Sequence, residues 1–289
     1  MSEVSDLLAG ISTAEVTHEQ IRLRGLDIHV QLQGEGPPLL LYSGIFGEVD
    51  LWEPVLPYLA GFRTIAFDPP GIGKSQLPKF PMNMFSLAEL GTQVLDVFGI
   101  KKAHVLGGSF GGAVAQQMAL MHPNHVDRLV LVSTSFGGFA LPGSMRAFYH
   151  FSNPNSYKPE HSDKVAGPMF GGRLREEPHL MGGLHVSRPA SLRHFLYRGS
   201  ALWAWSSLPW MWAIRQETLI VCGDDDPVTR LMNHRIMEKM IPHSKLHIVP
   251  GGGHLMLFDS AERVGPVIGR FLREGHPKED RNRERSGKQ

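Results

Sequence analysis

The stretch that most constrains this chain is Ala103-His104-Val105-Leu106-Gly107-Gly108-Ser109-Phe110-Gly111-Gly112. An apolar run ends on a serine set between glycines, and Ala113-Val114-Ala115-Gln116-Gln117-Met118-Ala119-Leu120 continues as helix. In a chain with 32 glycines the pattern G-x-S-x-G arises readily by chance. A strand before it and a helix after it make it a nucleophile elbow, a turn that lifts one side chain clear of a sheet. A serine hydroxyl is a weak nucleophile and needs that exposure to meet both a base and a substrate. The turn brings strand and helix so close that Gly107 and Gly111 have no room for a Cβ.

The surrounding chain alternates in kind. Ile21–Leu23 and Ile28–Leu32 alternate apolar and polar residues around Gly25, as a hairpin of half-buried strands does. Leu39–Tyr42 is a continuous apolar run, the mark of a strand covered on both faces. Leu51–Leu59 is predicted helical and Arg63–Phe67 a strand. Ser86, with Glu89 three residues on, reads as the capping box of the next helix. Further strands are expected at Asp127–Val132, Thr218–Cys222 and Leu246–Val249, with an amphipathic helix from about Ser260 to Arg273. Strands alternating with helices imply an α/β fold, a mainly parallel, doubly wound sheet with helices on both faces. The rhythm lapses between 135 and 216, a stretch without evident strands and rich in Gly, Pro, Met and aromatics. The expected organisation is a core over 18–134 and 217–273, a mostly helical lid over 135–216, and a charged, disordered tail over 274–289.

Composition removes several function classes. A net charge of +1 offers no electrostatic footprint for nucleic acid. No apolar run reaches membrane-spanning length, and the N-terminus lacks a basic, apolar leader, so the expected compartment is the cytoplasm. The single cysteine, Cys222, sits in an apolar run and rules out an internal disulfide. Gly73-Lys74-Ser75 resembles the end of a phosphate-binding loop, but Asp68 stands where that motif needs glycine, and Pro69 and Pro70 have no N–H to offer. His122 and His125 lie in a loop without metal-site spacing, and no metal is expected.

A serine nucleophile needs a base, and the base needs an acid to orient it; after an elbow of this kind the acid and the histidine follow in that order. The two strands after the 135–216 stretch lead into Gly223-Asp224-Asp225-Asp226-Pro227 and, through Pro250-Gly251-Gly252-Gly253, to His254. Both loops fall at carboxyl ends of strands, where such sheets place their sites. Ser109, His254 and Asp226 are therefore the expected catalytic residues, with Asp225 the alternative acid and the other acids solvated. Backbone N–H groups of Phe110 and of Ile45, in the loop after Leu39–Tyr42, are the expected oxyanion donors. No cofactor is required. Phe46, Trp203, Trp205, Trp210 and Trp212 are candidate substrate contacts, and Phe195 and Tyr197 add to the aromatics of the lid. Those aromatics that do not pack the lid itself should line an apolar pocket or form an exposed patch, which points to an apolar acyl substrate.

Ser43-Gly44-Ile45-Phe46-Gly47, Phe67–Ser75, the elbow, Gly223–Pro227 and Gly253-His254 together resemble the α/β-hydrolase superfamily, over about Gln20 to Arg273. Ser43 departs from the histidine usual there, at a position whose donor is backbone. Within the superfamily, Gly111–Gln117, Gly171-Gly172-Arg173-Leu174-Arg175-Glu176-Glu177-Pro178, Gly223–Pro227 and Ile241-Pro242 before Leu246–Ile248 resemble intracellular depolymerases of medium-chain-length poly(3-hydroxyalkanoates). That resemblance implies an ester hydrolase acting on a hydrophobic ester or polyester, in contact with a polymer granule surface. Serine at the elbow, where polyester synthases of related fold carry cysteine, points to hydrolysis. A carboxylesterase, a cofactor-free perhydrolase and a C–C bond hydrolase would use the same residues, and a ligand receptor could share the fold.

Overall fold

The computed structural model describes residues 15–157, 159–183 and 199–274. Phe195, Tyr197 and the charged tail beyond 274 lie outside the described residues.

Eight strands form one sheet: β1 (Val16–Leu23), β2 (Leu26–Gln33), β3 (Pro38–Tyr42), β4 (Arg63–Phe67), β5 (Ala103–Gly108), β6 (Val126–Val132), β7 (Glu217–Gly223) and β8 (Ser244–Val249). Their order across the sheet is β1-β2-β4-β3-β5-β6-β7-β8. The β1–β2 and β2–β4 pairs are antiparallel, and every later pair is parallel. The β1–β2 hairpin turns on Arg24 and Gly25, both left-handed (φ 51° and 77°), as a two-residue hairpin loop requires.

The continuous apolar runs have a simple cause. In β3, Leu40 and Tyr42 enter one core and Leu39 and Leu41 the other, so both faces need apolar side chains. The first core is closed by the helices Met84–Val97, Phe110–Met121 and Leu231–Met240, and the second by the helix Ala261–Arg273 and the turns before β4.

Two local expectations differ from the structure. Leu51–Leu59 is not one helix but two single 3-10 turns, Val49–Trp52 and Leu56–Leu59. Pro54 and Pro57 lie within it, and a proline inside an α-helix removes a hydrogen bond and clashes with the preceding turn. The next helix is capped by Asn83, whose side chain accepts the Ser86 N–H at 2.9 Å, so Ser86 lies inside the first turn.

Between β6 and β7 the chain forms helices Met145–Ser152 and Pro159–Phe170, several 3-10 turns and a short helical piece at 199–203. Its β-structure among the described residues is a single bridge, Gly137 to Ser206. Val165, Ala166, Met169, Phe170 and Leu174 make a small core of their own. The stretch is fastened to the helix after Ser109 by adjacent glutamines: Ser207 Oγ donates to Gln116 Oε1 (2.7 Å) and Trp205 Nε1 to Gln117 Oε1 (2.6 Å).

Candidate active site

The elbow is built as tightly as its glycines imply. A Cβ on Gly107 would lie 2.5 Å from the Gly111 carbonyl oxygen, and one on Gly111 only 2.0 Å from that of Tyr42. Ser109 itself has φ 51° and ψ −119°, a conformation that side-chain-bearing residues rarely adopt. It is held there by Ser109 N–H donating to Val132 O (2.9 Å) and Thr134 Oγ1 donating to Ser109 O (2.7 Å).

The strained turn presents Ser109 Oγ to His254 Nε2 at 2.9 Å, and His254 Nδ1 lies 2.9 Å from Asp226 Oδ2. The carboxylate accepts only, so Nδ1 carries the proton and Nε2 is left to accept from the serine hydroxyl. Asp226 is fixed by three further donors: Val228 N and Thr229 N to Oδ1 (2.7 and 3.0 Å), and Thr229 Oγ1 to Oδ2 (2.6 Å). Burial works to raise its pKa, but the attraction of His254 and hydrogen bonds from His254 and Thr229 prevail and hold the carboxyl below its ordinary range.

The neighbouring acids are occupied elsewhere rather than merely solvated. Asp225 forms a two-pronged pair with Arg175 (2.8 and 3.0 Å) and accepts the Gly172 N–H (2.8 Å), while Asp224 accepts that of Gly251 at 2.6 Å. His254 therefore faces Asp226 and not Asp225.

Two cavities meet at Ser109 and His254. The larger, about 470 Å³, is lined mainly by apolar residues, among them Leu141, Met145, Phe148, Phe151, Leu202 and Trp203, and both Ile45 and Phe110 border it. The smaller, about 50 Å³, lies against Ser43, Trp52, Ser133 and Leu257. The loop after β3 passes close to the serine, since a Cβ on Gly44 would stand 3.7 Å from Ser109 Cβ. Leu141, Met145, Phe148 and Trp203 are also strongly exposed, so the rim of the large cavity is apolar.

Of the aromatics singled out in the sequence, Trp203 lines this cavity. Trp205 is buried on Gln117, Phe46 is buried, and Trp210 and Trp212 are exposed; none of these four lines either cavity. Phe148, Phe151 and Leu202 do; the two phenylalanines are among the aromatics of the 135–216 stretch, but no local pattern marked which of those face the cavity, and none marked Leu202. Asn233 also borders the large cavity and clamps both backbone groups of Leu141 (2.8 and 2.9 Å).

The loop that mimics a phosphate site is folded around its own carboxylate: Asp68 accepts from Val49 N (2.9 Å) and Lys74 N (3.0 Å) and pairs with His29 Nδ1 at 2.8 Å. Among the described residues no cluster of three or more His, Cys, Asp or Glu could hold a metal ion, and no helix is long and apolar enough to cross a membrane.

A sequence profile of the alpha/beta hydrolase fold matches residues 37–261. The chain belongs to the alpha/beta hydrolase fold family. Among the relatives of this hydrolase-fold chain is a poly(3-hydroxyalkanoate) depolymerase of Ectopseudomonas oleovorans, 35% identical over 82% of this chain and 84% of the relative. A 2-hydroxy-6-oxononadienedioate/2-hydroxy-6-oxononatrienedioate hydrolase of Comamonas testosteroni is 26% identical over 94% of this chain and all of its own length (100%). The crystal structure of a hydrolase from Pseudomonas aeruginosa PA01 superposes with a TM-score of 0.73 at 25% identity, covering 89% of this chain and 98% of that one.

Proposed function

We propose that the chain is a serine hydrolase of apolar carboxylic esters, acting on medium-chain-length poly(3-hydroxyalkanoate) or its oligomers. The observation that carries the chemistry is the unbroken hydrogen-bonded series from Ser109 Oγ through His254 to Asp226, with both links at 2.9 Å. Ser109 attacks the ester carbonyl as its proton passes to His254 Nε2, and Asp226 stabilises the imidazolium. Backbone N–H groups of Phe110 and Ile45 receive the oxyanion. The imidazolium then protonates the departing alkoxide. Water, giving a proton to His254, attacks the acyl-enzyme; the acid leaves and Ser109 regains its proton. The chain's own groups suffice for these steps.

The substrate reading draws on the cavity, its rim and the 35% identical depolymerase. A polymer cannot dissolve into a closed pocket, so a chain end or loop must be drawn from a surface, and an apolar rim suits contact with a granule. We assign the lid role to the 135–216 stretch and a cytoplasmic, granule-associated location on the same grounds. Among relatives, the hydrolase of Comamonas testosteroni has a dioate in its name. None of the described residues lining either cavity is Arg or Lys, which favours an uncharged ester over a dicarboxylate.

The test compares emulsions of medium- and short-chain polyhydroxyalkanoate with p-nitrophenyl acetate and octanoate. Release of 3-hydroxy acids from the medium-chain polymer, with octanoate preferred over acetate, is expected. Preference for acetate with no attack on polymer would replace the depolymerase reading by an ordinary carboxylesterase. Failure of a fluorophosphonate to label Ser109 would remove the serine hydrolase itself.

A further inference from the structure

One short segment, Phe170–Arg175, touches both loops that carry Asp226 and His254. Building on the reading of Ser109 as nucleophile, we propose that this segment is a positioning clasp for the acid and base, closed by the Arg175–Asp225 pair. On the base side, His254 N–H donates to Phe170 O at 2.7 Å. On the acid side, Gly172 N–H donates to Asp225 Oδ2 at 2.8 Å, and Arg175 grips both carboxylate oxygens of Asp225 at 2.8 and 3.0 Å. Asp225 N–H in turn donates to Gly252 O at 3.0 Å, which ties the acid loop to the base loop directly. Asp225, next to Asp226 in the chain, thus holds three partners: Gly172, Arg175 and Gly252.

The approach is too close for any residue but glycine. A Cβ on Gly171 would fall 2.0 Å from Asp225 O, and one on Gly172 would fall 2.3 Å from Gly253 N. Both glycines are left-handed, with φ of 68° and 56°. This gives a physical role to the Gly171–Pro178 motif, which the chemistry at Ser109 does not otherwise use.

The clasp predicts a particular kinetic signature. None of the residues from 170 to 175 lines either cavity, so substrate binding should not depend on them. The Arg175–Asp225 pair is 47% and 38% exposed, and exposed pairs add little to stability. What should depend on the pair is the placement of His254, because a displacement of about 1 Å at reacting groups can lower turnover 10²-fold.

The test uses the full chain and p-nitrophenyl octanoate. Arg175→Gln and Asp225→Asn should each lower kcat by roughly tenfold and leave KM within about twofold. Arg175→Lys keeps the charge but loses the planar fork and should fall between wild type and Arg175→Gln. The double variant should be no slower than the slower single one, because the contact that Arg175→Gln breaks is already lost in Asp225→Asn. Melting temperatures should match wild type. A kcat within twofold of wild type in Arg175→Gln, a change carried by KM, or a loss that tracks melting temperature would each overturn the clasp. The low-field NMR signal of the His254 Nδ1 proton gives a readout that needs no turnover: it should shift or broaden in Arg175→Gln, and an unchanged signal overturns the clasp. An inactive wild type would instead strike at the proposed hydrolase, while an active wild type with an unaltered Arg175→Gln strikes at the clasp alone.

Discussion

Asp226→Asn is the sharpest probe of the site because the structure dictates which way the new amide must face. Oδ1 accepts two backbone N–H groups, from Val228 and Thr229. An NH₂ in that place would set donor against donor, so the amide oxygen must stay there and the NH₂ must take the place of Oδ2. It then points at His254 Nδ1, now 2.9 Å from Oδ2, and can only donate to it. The imidazole is forced to carry its proton on Nε2, where it faces the Ser109 hydroxyl as a donor and cannot accept a proton. The same exchange in a Ser-His-Asp site lowers kcat about 10⁴-fold, or about 5 kcal/mol of transition-state stabilisation. Asp226→Ala leaves the tautomer free and should lose less than Asp226→Asn. Hydrolysis of p-nitrophenyl octanoate, with melting temperature as the control for folding, measures both. Activity of Asp226→Asn within tenfold of wild type, or Ala slower than Asn, would refute the tautomer argument.

Gly111→Ala should lose at least about 3 kcal/mol in chemical denaturation, because its Cβ meets two fixed carbonyl oxygens of β3 and the loop after it, Tyr42 at 2.0 Å and Ser43 at 2.5 Å. Gly182→Ala, with nothing within 4 Å, should change stability by no more than about 0.5 kcal/mol. Phe148→Ala and Trp203→Ala should narrow the ratio of octanoate to acetate hydrolysis, since each buried methylene contributes about 0.8 kcal/mol; an unchanged ratio would move the acyl chain elsewhere. His234, fully buried with its Nε2 unpartnered among the described residues, has its pKa lowered by burial to about 4. Its contribution to stability is complete above the unfolded value and is lost as pH falls from about 6.5 to 4, by about 3 kcal/mol. Denaturant melts across that range should show the slope, and His234→Leu should flatten it.

How far the sequence reaches depends on the range of the forces that decide each feature. The elbow and the two later loops are legible because a turn without Cβ atoms and a strand buried on both faces leave local marks at Gly107, Gly111 and Leu39–Tyr42. Asp226 could be separated from Asp225 only by position, since what distinguishes them is Arg175, fifty residues away in the chain. Trp203 and Trp205 are two residues apart, yet one opens on the cavity and the other is buried against Gln117. Nothing in their immediate neighbours encodes that difference, because the partner of buried Trp205 comes from the helix after Ser109. The helix expected over Leu51–Leu59 fails on Pro54 and Pro57, a signal that is itself local.

The backbone at Ser109 sets persistence against the proposed activity at a single position. A φ of 51° with ψ −119° is congenial to glycine and strained for serine, by about 1–3 kcal/mol. Ser109→Gly should thus raise the melting temperature as it abolishes hydrolysis. Serine is the costlier residue at this turn, so a selection for thermal endurance alone should favour glycine there.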